Sequence, residues 1–269
     1  MIAARAWLAL VLALTLAACG PQPTPFPVNA PVTPSPDTPT ERAPLRYALA
    51  PNTTGAVPDL DALRGSAQVE QLTSEPQPDE LGTRYDIVVR YGAPDGWTEA
   101  SAVQVVLVLP VDDERLTAPL ADIVRRAIDP QAVLDGLNAP GATIISANDA
   151  PPAAELRTAL ANLGRPDGLS LVLANTHTPG ASIIAGQLER AHVFVRLDAM
   201  TASDTRRALD SGRAQLALAR LSDDELAAWV ERYGAAQVIP LVRVPLSYRA
   251  VPGLTVTLRD DGWPLAGWQ

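Results

Sequence analysis

Hydrophobic and polar positions from Leu45 onward follow two alternating patterns, which predict strands and helices in turn. Short runs rich in Val, Ile and Leu predict the strands. The most apolar of them, Val103–Leu109, is interrupted only by Gln104, and we expect it to be buried on both faces of a sheet. The predicted strands cover residues 45–50, 67–72, 85–91, 103–109, 169–174, 192–197, 214–220, 238–244 and 254–259.

Apolar residues three and four positions apart predict amphipathic helices between the later strands. Pro130 suits a helix start, and Gly164 suits a helix end. The pairs Thr201 with Asp204 and Ser222 with Glu225 have the spacing of capping boxes. The predicted helices cover residues 120–128, 130–137, 153–163, 181–190, 202–210 and 223–233. This order predicts an α/β fold with a mainly parallel sheet and helices on both faces.

The N-terminal residues have the pattern of a secretory signal. The apolar run Trp7–Leu16 is too short to span a bilayer as a mature helix. It ends in Leu16-Ala17-Ala18-Cys19-Gly20, which resembles the lipobox of bacterial lipoproteins. The resemblance implies that residues 1–18 are removed and that Cys19 is lipidated, which anchors the chain on the extracytoplasmic face of the cell membrane. The alternative is an ordinary signal with an incidental cysteine.

A proline-rich segment follows the cysteine. Residues 21–44 contain nine prolines, mixed with Thr, Ser and Val. Because proline excludes a helix interior and lacks a backbone donor, we predict that residues 19–44 form an extended tether. A docking segment for a proline-reading partner is the alternative.

Composition and charge exclude several classes of function and of site. Hydrophobic residues make up 47% of the chain, enough for a packed core. The 21 basic residues, all Arg, face 30 acidic ones, for a net charge of -9, and this sign excludes non-specific nucleic-acid binding as the main activity. The single cysteine excludes an internal disulfide, and the two histidines, His177 and His192, argue against a His-rich metal site.

Motifs of common enzyme classes are missing from the sequence. The segment around Ser182 lacks the second glycine of a nucleophile elbow, and there is neither a P-loop nor a His-Glu-x-x-His pair. The acidic pairs at 112–113, 223–224 and 260–261 are interpreted as solvated turns or helix caps rather than as catalytic carboxylates or cation ligands. We therefore predict that the protein is not an enzyme and needs no cofactor or metal.

Two stretches resemble one known family. Ile123–Leu134 is similar to the helix pair of the family 5 solute-binding proteins, the oligopeptide, dipeptide and nickel receptors of ABC importers. Ala159–Leu171, with its Arg-Pro-Asp-Gly turn, resembles the family's passage from a helix into a strand. The order of Ser211–Leu218, Val238–Leu241 and Tyr248 also follows the family, so that the resemblance covers about 85–269.

The resemblance implies a fold like the type II periplasmic binding proteins, reduced because most of the sequence of the first lobe is missing. Residues 45–100 would be a short first α/β segment, the remnant of that lobe, and residues 101–269 the solute-binding-like domain. The implied function is to bind a peptide-like or other small ligand and to present it to an ABC permease. The alternative is a non-transporting lipoprotein that serves as a structural or interaction module at the cell surface.

Residues at the carboxyl ends of two predicted strands, or just after them, are the candidates for ligand binding, because ligands of open α/β sheets bind beyond the carboxyl ends of the strands. Arg90 and Tyr91 end the third strand and Trp97 comes after it, and Asn175 and Thr176 follow strand 169–174. Arg90 can pair with a carboxylate, and the aromatic rings can cover an apolar side chain. The alternative is a surface charge beside aromatic residues that fill the core edge. His177 is interpreted as a loop residue.

Overall fold

The computed structural model describes residues 43–53, 63–65, 67–111, 114–259 and 262–268. Residues 1–42, with Cys19 and nearly all of the predicted tether, lie outside the described residues, as do the acidic pairs 112–113 and 260–261. Ala43–Gln269 forms one compact unit. Within the described ranges, the structure contains no helix with the length and apolar character needed to cross a membrane.

The strands alternate with helices much as the sequence pattern predicts. The helices are α1 (Ala118–Ala127), α2 (Pro130–Leu137), α3 (Ala153–Asn162), α4 (Ala181–Arg190), α5 (Ala202–Asp210) and α6 (Asp223–Tyr233). The strands are β1 (Leu45–Leu49), β2 (Ala67–Gln71), β3 (Ile87–Tyr91), β4 (Thr98–Val108), β5 (Thr143–Ile144), β6 (Leu169–Asn175), β7 (Val193–Ala199), β8 (Leu216–Leu221), β9 (Val238–Ala250), β10 (Leu254–Leu258) and β11 (Pro264–Trp268). The sequence pattern does not predict β5 or β11, and it underestimates the lengths of β4 and β9.

Nine of the described strands form one sheet, in the order β2-β1-β3-β9-β4-β8-β6-β7, with β5 also paired to β9. The α/β class and the helices on both faces are confirmed. The sheet is mixed rather than mainly parallel, because the described pairs of β9 with β3, β4 and β5, and of β4 with β8, are all antiparallel. The parallel pairs are confined to the two ends of the sheet, β2-β1-β3 and β8-β6-β7.

This mixed arrangement arises because β9 inserts between β3 and β4. A short link, residues 92–97, separates β3 from β4, and consecutive strands of a chain commonly lie side by side in a sheet. Instead β9, which comes more than a hundred residues later, pairs with both. The predicted division near residue 100 remains a prediction, and β4 runs across that position.

Apolar residues cover both faces of the sheet. The larger cluster packs α1, α2, α3 and α4 against one face, and includes Leu107, Val124 and Ile184. On the other face α5 and α6 cover Val106, Val108 and Ala217. A smaller cluster on that second face joins Ala48, Tyr85 and Val88. The prediction that 103–109 is buried on both faces is confirmed by Val105–Leu109, which is at most 1% exposed.

Most helix ends follow the sequence signals. The Ser222 side chain accepts from the Glu225 backbone N–H, and Glu225 accepts in return from Ser222, which completes the predicted capping box. Thr201 caps α5 through the Asp204 backbone N–H. Asp129 caps α2 just before Pro130. At the end of α3, Gly164 has a positive φ of 76°, the left-handed conformation that favours glycine.

Gly168, in the turn before β6, is the glycine with the strictest requirement. Its φ is 96°, and a Cβ atom there would lie 2.4 Å from the His192 carbonyl oxygen. Gly186, inside α4, has no heavy atom within 4 Å of the corresponding position. The two glycines therefore form a matched pair for substitution.

We expect Gly168→Ala to lower the free energy of unfolding by about 2 kcal/mol or more, because of the left-handed backbone and the collision with His192. Gly186→Ala should raise it by about 0.5–1 kcal/mol, the difference in helix propensity. Urea unfolding of both variants measures these changes. Equal effects of the two substitutions would contradict the close approach of the Gly168 turn to β7.

Candidate functional site

The candidate residues of β3 lie on opposite faces of the sheet, because consecutive residues of a strand alternate. Tyr91 belongs to the large apolar cluster. Arg90 lies on the other face, beside Trp97, which follows in the link to β4. The structure thus brings Arg90 and Trp97 together and separates both from Tyr91.

The Arg90 guanidinium is held from three sides. Its Cζ lies 5.5 Å from the centre of the Trp97 ring. Its Nη1 donates to Glu75 Oε2 at 2.9 Å, and its Nε donates to the Tyr91 carbonyl oxygen at 3.2 Å. The Arg90 side chain is only 11% exposed, whereas that of Glu75 is 50% exposed. The arginine is therefore fixed, and its acidic partner faces solvent.

The segment between β2 and β3 brings Glu75 to this place. Pro78–Glu80 forms a short 3-10 helix, which is closed by a bond from the Gln77 backbone N–H to Glu80 Oε2 at 2.8 Å. Leu72 and Leu81 pack against the cluster of Tyr85 and Val88. The segment consequently folds over the end of β3 and leaves a cavity in front of Arg90.

This cavity, the Arg90 pocket, has a volume of about 220 Å³. Its walls are mostly apolar, and three charged side chains lie around it: Glu75, Arg90 and Arg249 of β9. Arg249 pairs in register with Val88 and is exposed. The apolar walls are formed by Pro76, Pro78, Leu81, Val88, Pro94 and Trp97.

Tyr91 and the residues after β6 meet a different arginine, Arg220 of β8. The Cζ of Arg220 lies 4.7 Å from the centre of the Tyr91 ring, and Nη2 donates to the His177 carbonyl oxygen at 3.4 Å. Burial lowers the pKa of the Arg220 guanidinium, although an arginine stays charged at any physiological pH. The cavity beside it measures only about 10 Å³, which is room for one water at most.

Asn175 and Thr176 form the tight turn between β6 and α4. The Thr178 backbone N–H donates to Asn175 Oδ1 at 2.8 Å, and the hydroxyls of Thr176 and Thr178 lie 3.1 Å apart. Thr176 and Thr178 are buried. These polar groups are used by the turn itself, so a ligand-binding role for Tyr91, Asn175 and Thr176 remains a prediction.

Glu75, Arg249 and Arg220 are not among the residues predicted from the sequence. Arg220 had a signal: it follows Leu216 and Leu218 at two-residue spacing, which places a charge on an apolar face of β8. Glu75 and Arg249 have no such signal in the sequence. The position of Glu75 beside Arg90 depends on how the 72–81 segment folds, and that of Arg249 depends on the pairing of β9 with β3.

No protein-family model matches the chain, and no curated protein sequence is similar to it. Solved structures do share the fold. A substrate-binding protein from Microbacterium hydrocarbonoxydans, complexed with 4-hydroxybenzoate hydrazide, is 13% identical with a TM-score of 0.51, over 76% of this chain and 59% of that one. The substrate-binding domain of an oligopeptide ABC transporter from Bacillus anthracis is 13% identical with a TM-score of 0.50, over 66% of this chain and 53% of that one. The chain thus spans little more than half the length of these proteins.

We expect Asn175→Ala to lower the free energy of unfolding by about 1 kcal/mol, the value of the bond to the Thr178 N–H. Asn175→Asp keeps an oxygen acceptor at that position and should lose much less. Urea unfolding curves of the two variants measure the difference. If Asn175→Ala were as stable as the unchanged chain, the turn would not depend on this side chain.

Proposed function

We propose that the protein is an extracytoplasmic solute-binding lipoprotein that binds a small, peptide-like ligand in the Arg90 pocket without chemical change. One observation carries the proposal: a fixed guanidinium, an exposed carboxylate and apolar walls surround a single cavity. The fold shared with substrate-binding proteins is consistent with it, and these fold neighbours are binding proteins rather than enzymes.

The charges around the pocket match the two ends of a short peptide or an amino acid. A ligand carboxylate can pair with Arg90 and Arg249, and a ligand ammonium can pair with Glu75. An apolar side chain of the ligand would rest on Trp97 and Leu81. Because Arg90 is already held by Trp97 and the Tyr91 carbonyl, binding costs little side-chain entropy at that residue.

The size of the pocket limits the ligand and its affinity. At about 220 Å³ it is smaller than the roughly 300–1,000 Å³ of common small-molecule sites. It therefore suits a single amino-acid residue or one end of a peptide, with the remainder in solvent. We expect dissociation constants no better than about micromolar, equivalent to roughly 8 kcal/mol.

The membrane anchor and the transport partner belong to the same proposal. The lipobox resemblance supports lipidation of Cys19, and the prolines of residues 19–44 support an extended tether that holds the domain away from the membrane. The family resemblance supports an ABC permease as the protein that receives the ligand.

A non-transporting interaction module is the second candidate. One observation favours it: residues 43–269 form a single unit, and the Arg90 pocket lies at the surface of one sheet rather than between two closing lobes. Permease and ATPase genes beside the gene would favour import over this second candidate.

Isothermal titration calorimetry with Leu-containing dipeptides tests the pocket. We expect Glu75→Gln to weaken binding about tenfold for peptides with a free amino terminus, because one charge-assisted bond is lost. N-acetylated peptides should be insensitive to Glu75→Gln but should still be weakened by Arg249→Gln, which removes a cation beside the ligand carboxylate.

Arg243→Gln is the matched control for this titration, since Arg243 is an exposed arginine of β9 whose carboxylate neighbour is Glu99 at 3.9 Å, outside the pocket. It should bind like the unchanged chain. Absence of binding heat with every amino acid, dipeptide and tripeptide would contradict the ligand proposal and favour the interaction module.

Attachment to the membrane has its own test. Cys19 is the only cysteine, so Cys19→Ser removes the only sulfur that can carry a lipid. We expect this variant to move from the membrane fraction to the soluble fraction of the cell. A variant that stays with the membrane after a salt wash would show that the anchor is elsewhere.

A further inference from the structure

We propose that β7 is an interaction surface for a second copy of this chain, in which two β7 strands pair antiparallel across a two-fold axis. Among the described strands, β7 is the last in the sheet order, and it pairs with β6 on one side only. Its seven residues therefore present an open edge, the kind of surface to which a further strand can add.

The backbone of β7 is oriented for such pairing. The Leu169 N–H donates to the His192 carbonyl, and the Met200 N–H donates to the Asn175 carbonyl, each at 3.0 Å. Because this bonding alternates along a parallel pair, the backbone N–H and C=O groups of the even-numbered residues of β7 point toward β6. The backbone groups of the odd-numbered residues, which include Val195 and Leu197, consequently point away from the sheet.

The edge of β7 has few of the features that keep sheet edges from pairing. Natural edges are usually short, kinked by bulges, or protected by proline and charge. β7 pairs with β6 in an unbroken register and contains neither proline nor glycine. It exposes Phe194 and Leu197, each to 43%. By contrast β2, at the other edge, has only five residues, and the two charges on β7, Arg196 and Asp198, are of opposite sign.

The charges on β7 select a second copy as the occupant and also select the register. Arg196 and Asp198 lie on one face of the strand, and neither has an ion-pair partner in the part of the chain that the structure describes. With Leu197 on the two-fold axis, each Arg196 lies opposite Asp198 of the second copy, at a non-hydrogen-bonded position with Cα atoms about 4.5 Å apart.

The neighbouring registers are disfavoured by the same charges. If the two-fold axis passes through residue 196 instead of 197, Arg196 lies opposite Arg196 of the second copy. If the axis passes through residue 198, Asp198 lies opposite Asp198 of the second copy. Like charges directly opposite each other destabilise a sheet, so only the register centred on Leu197 pairs every charge. This self-complementarity is what an isologous interface requires.

Disulfide cross-linking of the full chain tests the register. Leu197→Cys places two thiols on the axis, where the Cα atoms of a hydrogen-bonded pair are about 5.5 Å apart, within disulfide range. Phe194→Cys is the matched control, because it is equally exposed, but its two copies would lie about 20 Å apart. We expect mild oxidation to give a covalent dimer with Leu197→Cys and not with Phe194→Cys. The unchanged chain measures any background from Cys19.

Exchanging the charges at positions 196 and 198 tests whether the partner is a second copy of this chain. In the Leu197→Cys chain, Arg196→Glu or Asp198→Arg should each lower the rate of dimer cross-linking about tenfold, and the two together should restore it. Circular dichroism verifies that the variants are folded. Equal cross-linking at 194 and 197, no response to the charge changes, or a disulfide to a different protein would each overturn the proposal. These readouts do not involve the Arg90 pocket, so they are independent of the ligand test.

Discussion

Backbone pairing of β9 is the interaction on which the rest of the sheet depends. Among the described strands, β9 is the only link between the β2-β1-β3 end and the β4-β8-β6-β7 end, because β3 and β4 are not neighbours. The strand tolerates Pro240 at a register shift opposite Val105 and Val106, where the ladder is already irregular. The Pro245 carbonyl accepts from the Gly92 N–H at 2.7 Å, which fixes the chain as it leaves β3. The Arg90 pocket begins at that point.

What the sequence predicts well is local. Helices with an apolar stripe and a cap, such as α6, and strands with uninterrupted apolar runs, such as β4, are specified by residues within their own length. The pairing of β9 is non-local, and β5 and β11 are stabilised by neighbours rather than by a pattern of their own. The same distinction applies to the site. Arg90 and Trp97 could be predicted from their places at and after the end of a strand, whereas Glu75 and Arg249 reach the pocket through tertiary folding.

Arginine stacked on an aromatic ring recurs through the structure. In the described part of the chain, guanidinium groups lie over Tyr85, Trp97, Tyr91 and Tyr233 at 4.7–5.8 Å. Every basic residue of the chain is an arginine, whose flat, weakly hydrated cation can lie in a partly dry place where a lysine ammonium would lose more hydration. Aromatic residues make up only 4% of the chain, and four of them lie against arginine guanidinium groups. Arg90 and Arg220 differ in the space beside them: the cavity at Arg90 measures about 220 Å³, and the cavity at Arg220 about 10 Å³.

The pocket and the open edge lie far apart in the sheet. From β3 to β7 the strand order passes β9, β4, β8 and β6, which is five steps of about 4.8 Å each, or about 24 Å. Pairing through β7 would extend the sheet across the two-fold axis and leave both Arg90 pockets at its outer ends. Because no strand of the pocket takes part in the pairing, ligand binding and self-association would proceed without competing for the same residues. Two copies joined in this way would present two equivalent pockets on the same face of the extended sheet, because a two-fold axis that relates antiparallel edge strands is perpendicular to the sheet.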